Sequence, residues 1–310
     1  MQRIILLILL LASVSANAAA EFSLQTVKVT DSIYALVGPI AGRTYENHGL
    51  NNNTGFVVTG KGVILVDSGA SSQGAAIIEK AIAAVTDQPV KWVVNTGAQD
   101  HRWLGNGYFA AKGAEVIALE RTVKSQQGFA DQHMQQLAAV LKDKMAGTNP
   151  AYASRKLAGN RAALELGGVK LEIIWFAGAH FPDDTVVWLP KSRTVFTGDL
   201  VYIDRMLGIL PDERSNAISW TKAFHAMEKL EPKHLIPGHG QPGGITEARR
   251  DTGDYLDWLM ENLRPAVENM DEIATIVDKL ADAPQFKHLA NYANWHRTNI
   301  NRTFIQLENE

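Results

Sequence analysis

Five side chains in this sequence have the chemistry to share a metal ion: Asp100, His101, His180, Asp199 and His239. Two of them are adjacent in the loop Asn95-Thr96-Gly97-Ala98-Gln99-Asp100-His101-Arg102-Trp103-Leu104-Gly105-Asn106. The others stand in Gly178-Ala179-His180, Thr197-Gly198-Asp199 and Pro237-Gly238-His239-Gly240. Imidazole and carboxylate both bind zinc, and a coordination position left open takes a water. Zinc lowers the pKa of such a water from about 15.7 to near 7, which makes hydroxide available at neutral pH. With no cysteine in 310 residues, a thiolate metal site, a cysteine nucleophile and any disulfide are all excluded.

Groups so far apart in sequence need strands to bring them together, and each follows an apolar, strand-like run. Val90-Lys91-Trp92-Val93-Val94 reads as a buried strand that Asn95, Thr96 and Gly97 break, so the loop hangs from a rigid end. Earlier, 24–37 alternates as two strands about a turn at Asp31-Ser32, and Gly38 to Asn53 is a Gly- and Asn-rich loop. A hairpin turns at Gly60-Lys61-Gly62, and Ser71 or Ser72 caps a helix through about Thr86. A strand at 116–118 and a long helix over 121–145 follow. A second strand set begins near Ala163, with strands at 169–176, 185–189, 194–196 and 234–236 and a helix at 219–230. The last third reads as helices at 246–264, 268–281 and 290–307. Strands dominate each half and helices follow each. That suggests two sheets face to face with helices outside, though layer counting alone does not separate it from an ordinary α/β sheet.

Hydrophobic residues make up 46% and charged residues 20%, enough for a large core, and no linker interrupts the chain. A net charge of −3 with no basic block argues against a nucleic-acid partner. Residues 1–18 read as a signal peptide: Arg3, then the aliphatic run Ile4 to Ala12, then Ala16-Asn17-Ala18, with Ala18-Ala19-Ala20 as a second cleavage point. The run is shorter than the ~20 residues that span a bilayer. The mature chain, 19–310, is expected as one exported domain with no stable membrane span, periplasmic in a Gram-negative source.

On Val66-Asp67-Ser68-Gly69, the Asn95-Thr96 loop with Asp100-His101, Gly178-Ala179-His180, Thr197-Gly198-Asp199 and Pro237-Gly238-His239-Gly240, the chain resembles the metallo-β-lactamase fold superfamily from about residue 24 to 307. The loop itself resembles an exported metallohydrolase branch linked to quinoprotein and sulfur-oxidation systems. The resemblance implies an α/β fold, the αββα four-layer sandwich. In the family the loop reads His-x-His-x-Asp-His after the Thr. The leading histidines and the one matching His180 bind a first zinc, and the Asp-His pair with the histidine matching His239 binds a second. The aspartate matching Asp199 often bridges them. Here Gly97 and Gln99 replace the leading histidines, and with Asp100-His101 matched to the Asp-His pair the loop counts one residue short. The implied ligands are therefore Asp100, His101, Asp199 and His239, with His180 to spare. One Zn2+ is expected, and two if His48 or substrate completes the first position. His180 and Asp100 are the expected catalytic groups, assisting a water that attacks an ester, thioester or lactam-like bond of a small-molecule substrate. The other reading is a non-catalytic accessory protein of a periplasmic redox or sulfur-oxidation system, which uses the cleft to hold a ligand.

Other residues carry plainer expectations. Asp67 is a carboxylate that supports the loops, and Arg102 an anchor. His48 belongs to a polar loop and Trp103 to packing, and Tyr202, soon after Asp199, is expected in structure rather than in the cleft. His133, His225, His234, His288 and His296 have no partner spacing, and Asn51-Asn52-Asn53-Thr54 carries no functional signal.

Overall fold

The computed structural model describes residues 22–211 and 214–310. Strands β1 (Gln25–Lys28), β2 (Ile33–Val37), β3 (Thr54–Thr59) and β4 (Gly62–Val66) form an antiparallel meander. The chain then changes mode. Helix α1 (Ser72–Ala83) crosses over to β5 (Val90–Val94), which pairs parallel with β4. Short helices α2 (Asp100–Trp103) and α3 (Asn106–Ala111) lead to β6 (Glu115–Leu119), and α4 (Glu120–Leu141) to β7 (Arg155–Leu157), both added in parallel. These seven strands are one sheet in sequence order. The second sheet runs β12-β11-β10-β9-β8, from β8 (Arg161–Leu166), β9 (Val169–Ile174), β10 (Val186–Leu189), β11 (Thr194–Phe196) and β12 (His234–Ile236). Helix α5 (Ala217–Glu228) links the last two, which pair in parallel. Helices α6 (Ile245–Ala248), α7 (Asp254–Glu268), α8 (Ile273–Lys279) and α9 (Tyr292–Glu308) close the chain.

The period-2 pattern explains the layers. Ile33, Ala35, Val57, Ile64, Val66, Val94 and Ile117 of the first sheet meet Leu171, Ile173, Val187, Leu189, Phe196 and Ile236 of the second in one buried cluster. The opposite face of the first sheet packs Phe56, Val63, Leu65 and Val93 on α1 and α3, through Ala75, Ile78, Ile82 and Phe109. Trp220, Phe224, Tyr255, Leu256, Leu259, Ile300 and Phe304 cover the second sheet with α5, α7 and α9. This is the helix–sheet–sheet–helix order that the resemblance implies. Ser71 caps α1, its Oγ accepting from the Gly74 amide at 3.0 Å.

Several elements differ from the sequence reading: α2 and α3 stand where a loop was expected, and the helix expected over 268–281 is only Ile273–Lys279. β7 went unforeseen because Arg155–Leu157 is short and polar at the sheet edge. The helix expected over 121–145 stops at Leu141, where Lys142 has φ +52. The helix expected over 246–264 is interrupted by a π-turn at Arg249–Gly253. That turn supports the segment after β11. Thr252 Oγ1 accepts from the Tyr202 amide at 2.9 Å and donates to its carbonyl at 2.6 Å, and Asp251 accepts from the Asp204 amide at 2.8 Å. The signal-peptide reading falls on residues outside those described. No helix among the described residues is long and apolar enough to cross a membrane.

Candidate metal centre

Parallel pairing sets the site. Val66 pairs with Val94 and Phe196 with Ile236, so the carboxyl ends of β4, β5, β11 and β12 reach one edge of the sandwich. Asp67, at φ +65, follows β4 and turns its carboxylate onto Thr96, accepting from the Thr96 amide at 2.8 Å and its hydroxyl at 2.6 Å. The loop after β11 comes so close that a Cβ on Gly198, which has φ +51, would lie 2.5 Å from Thr96 Oγ1. Asn53 ties the third loop, donating to the Pro237 carbonyl at 3.0 Å and that of Gly240 at 2.7 Å.

Three buried residues converge there. One ligand atom each from His101, Asp199 and His239 lies within 4.8 Å of the others. His101 Nε2 is 3.1 Å from Asp199 Oδ2, and His239 Nε2 is 3.3 Å from Asp199 Oδ1. Arg102 grips the same carboxylate in fork geometry, Nε to Oδ2 at 3.0 Å and Nη2 to Oδ1 at 2.5 Å. Its remaining hydrogens reach Asp67, the Asn53 carbonyl and the Gly238 carbonyl.

Asp100 is not one of the three, contrary to the expectation that it binds metal and assists catalysis. It starts α2, and neighbours on a helix point in different directions. Its Oδ2 takes Arg43 Nη1 at 2.5 Å and its Oδ1 the His101 amide at 2.7 Å. His180 does reach the same cavity, but its Nε2 faces the Gln99 side chain rather than the three-residue cluster. An occupied lone pair does not suit the expected general base. His48 lies against Lys144 Nζ at 3.0 Å and beside Phe22, so it does not complete a first metal position. Trp103 is packing: it is buried, stacks on Tyr152 and donates to the Ala98 carbonyl. Asp67 and Arg102 hold the loops, as their types suggest.

Burial dominates the electrostatics. It holds His180 at about 4, and His239 at about 3 with the Arg205 charge adding to it. It puts His101 well below 6.5. Burial alone would raise Asp199, but Arg102 and His101 outweigh it and keep this carboxylate well below the usual range. Asp67 is pushed up by burial to about 6, Arg102 opposing. These histidines are thus neutral when folded and take up protons on unfolding. Stability conferred by the neutral rings is full above about pH 6.5 and is lost as pH falls toward 4 and 3. Each proton contributes up to about 1.4 kcal/mol per pH unit. Melting temperature should fall steeply from pH 6.5 to 4.5, and a flat profile by thermal circular dichroism over that interval would contradict this burial.

A cavity of about 340 Å³ opens on the cluster, lined by Arg43, Gln99, His101, His180, Tyr202, Arg205 and His239 among others. Tyr202 is in the cleft, against the expectation, and stacks on His239 with centroids 4.7 Å apart. The sequence reading missed Arg43, Arg205 and Asn51. Arg205 Nη1 lies 2.8 Å from His239 Nδ1, which is also 2.8 Å from the Asn51 carbonyl. The only signal available was that these residues sit in Gly- and Asn-rich or post-strand loops.

The Metallo-beta-lactamase superfamily profile matches residues 49–239, and the chain belongs to that superfamily. It is 24% identical over 259 residues to the metallo-beta-lactamase type 2 of Bacteroides fragilis, covering 78% of this chain and 93% of that one. To the type 2 enzyme of Elizabethkingia meningoseptica it is 21% identical over 223 residues, covering 71% and 79%. The structure of a metallo-beta-lactamase from Pontibacter korlensis superposes with a TM-score of 0.60 at 22% identity, covering 76% and 99%.

Against the family's His-x-His-x-Asp-His, the geometry corrects the register of the loop. Counted from Thr96, the residues Gly97, Ala98, Gln99, Asp100, His101 and Arg102 fill all six positions, and the loop is not short. His101 stands at the aspartate and Arg102 at the last histidine, which is why His101 and not Asp100 meets Asp199 and His239.

The donor set fits one ion once Arg43 Nη2, 3.1 Å from His101 Nδ1, turns off that ring, since a ligating Nε2 leaves the imidazole hydrogen on Nδ1. His239 can give its Nδ1 hydrogen to the Asn51 carbonyl, which leaves the Nε2 lone pair facing Asp199. A carboxylate has about four lone-pair sites, and Arg102 uses one on each oxygen. The two histidine contacts to Asp199 are the ones an ion would replace.

Proposed function

We propose that this protein is an exported, one-metal hydrolase acting on an ester, thioester or lactam-like bond in a small substrate that carries an anionic group. The observation that carries this is the convergence of His101, Asp199 and His239 on a cavity that Arg205 also lines. A divalent ion there, zinc by the His and carboxylate donors, would act as a Lewis acid and supply hydroxide at neutral pH. Export is supported by Arg3, the run Ile4 to Ala12 and Ala16-Asn17-Ala18.

The anionic group follows from charge. Arg43 pairs with Asp100 and Arg102 with Asp67 and Asp199, and with Arg205 beside them the three carboxylates and three guanidinium groups sum to zero, so a divalent ion leaves the site positive. Arg205 has a buried Nε without a partner, and its Nη1 meets only the ring of His239. Once His239 donates to Asn51, Nε and Nη1 of that guanidinium have no acceptor among the described residues. Arginine is suited to a carboxylate by its planar fork.

Elemental analysis of the purified mature protein should find about one zinc per chain. Arg205→Ala should raise KM for anionic substrates by roughly 10- to 100-fold, the worth of a charge-assisted hydrogen bond, and change kcat little. No metal after reconstitution would overturn the hydrolase reading. It would leave the accessory-protein reading, which the donors from His101, Arg102 and Gln99 already gathered around Asp199 favour.

A further inference from the structure

Gln99 lies between Arg43, His180 and Asp199, and those neighbours decide which way its carboxamide points. A guanidinium only donates, so the side-chain oxygen must face Arg43, and it accepts from Nη2 at 2.8 Å. The amino group then donates to His180 Nε2 at 3.2 Å and to Asp199 Oδ2 at 3.0 Å. Reversed, the oxygen would face two acceptors and the amino group a donor. Arg43 is held in turn, by Asp100 Oδ2 at 2.5 Å and against His101 Nδ1 at 3.1 Å. Position 97 is closed as well. A Cβ on Gly97 would lie 2.6 Å from Asp184 Oδ1, so that carboxylate fills the space where the first family histidine would extend. Asp184 is itself fixed, accepting from the Phe181 amide at 2.7 Å.

We propose that the Gln99 amino group occupies the first of the family's two metal positions, and that Asp100 and Arg43 are positioning residues that keep the carboxamide turned that way. An N–H2 group bridging an imidazole and a carboxylate satisfies both acceptors that an ion would otherwise join. The fold thereby keeps His180 while making a two-ion site into a one-ion site. This rests on the superfamily ligand pattern, and it does not require the His101–Asp199–His239 position to be loaded.

The test is zinc stoichiometry after reconstitution with excess zinc and desalting, for the wild type, Gln99→His and Gln99→Leu, each shown to be folded by its thermal melt. Gln99→His should hold one more ion per chain than the wild type, because the introduced imidazole joins His180 and Asp199 to offer three ligands. Gln99→Leu should match the wild type. A wild type that holds two ions, or a folded Gln99→His with no increment, would overturn the proposal. A wild type with none and a Gln99→His with one would refute the hydrolase reading and sustain this one. The wild type also gives an answer without any variant. The imidazole 15N shifts of His180 should stay unchanged through a zinc titration, and a metal-induced shift at its Nε2 would contradict a position filled by Gln99.

Discussion

Replacing Arg102 with methionine should lower the melting temperature by about 6–20 °C, the largest stability effect expected of any single side chain at the site. Arg102 is about 1% exposed, and all five of its N–H groups are used. Methionine matches its bulk and leaves Asp67 and Asp199 buried without their shared counter-charge. Removing one partner of a buried ion pair typically costs 3–5 kcal/mol, roughly. In a chain of this size each kcal/mol moves the midpoint by about 2–4 °C. The loss should deepen with rising pH. Asp67 is pushed up to about 6 even with Arg102 beside it, so its charged form is the unfavourable one in the fold. The Asp67 contribution to stability therefore declines as pH climbs toward that value, against the trend of the histidines, and without Arg102 the decline is larger. Lysine at 102 keeps the charge but not the fork, and should recover only part of the loss. Thermal melts at pH 5 and pH 8 give both readouts. A drop of under about 3 °C for the methionine variant would mean that the two carboxylates find other partners.

The layers were legible because apolar runs such as Val63 to Val66 and Val169 to Ile174 each begin just after a glycine, Gly62 and Gly168, and are long enough for a strand. The site was legible as a set of strand ends. It was not legible as a register. Asp100 and His101 are adjacent, chemically equivalent candidates for zinc. Only the start of α2 at Asp100, and the presence of Arg43 to receive its carboxylate, turns one away and the other inward. Arg43 lies in the Gly38–Asn53 loop, where no periodicity marks it. Arg205 is distinguished by having no carboxylate partner among the described residues, and a missing partner leaves no trace in a sequence. Asn51 acts through its backbone carbonyl, which any residue type would offer. Gln99 could be read as a lost ligand from its type alone. Its hydrogen bonds to His180 and Asp199 depend on three other loops.

The same register makes His101→Ala and Asp100→Ala diverge. His101→Ala removes one of three convergent ligands. Its zinc affinity should fall by more than the 10- to 100-fold typical of outer partners, and turnover by about 10³-fold or more, as Lewis-acid stabilisation is worth several kcal/mol. Asp100→Ala removes a carboxylate that faces Arg43, which is 21% exposed and can turn toward water. That variant should keep its zinc, with affinity within about tenfold of the wild type, and lose about 1–3 kcal/mol of stability from the Arg43 and His101-amide contacts together. Equilibrium zinc titration against a chromophoric chelator separates the two cases without needing the substrate. If Asp100→Ala loses the ion and His101→Ala keeps it, the Asp100 side chain must swing from Arg43 into the cluster. Asp100 would then have to leave the guanidinium that orients Gln99, so the carboxamide, His180 and the ion would all respond to one rotation at the start of α2.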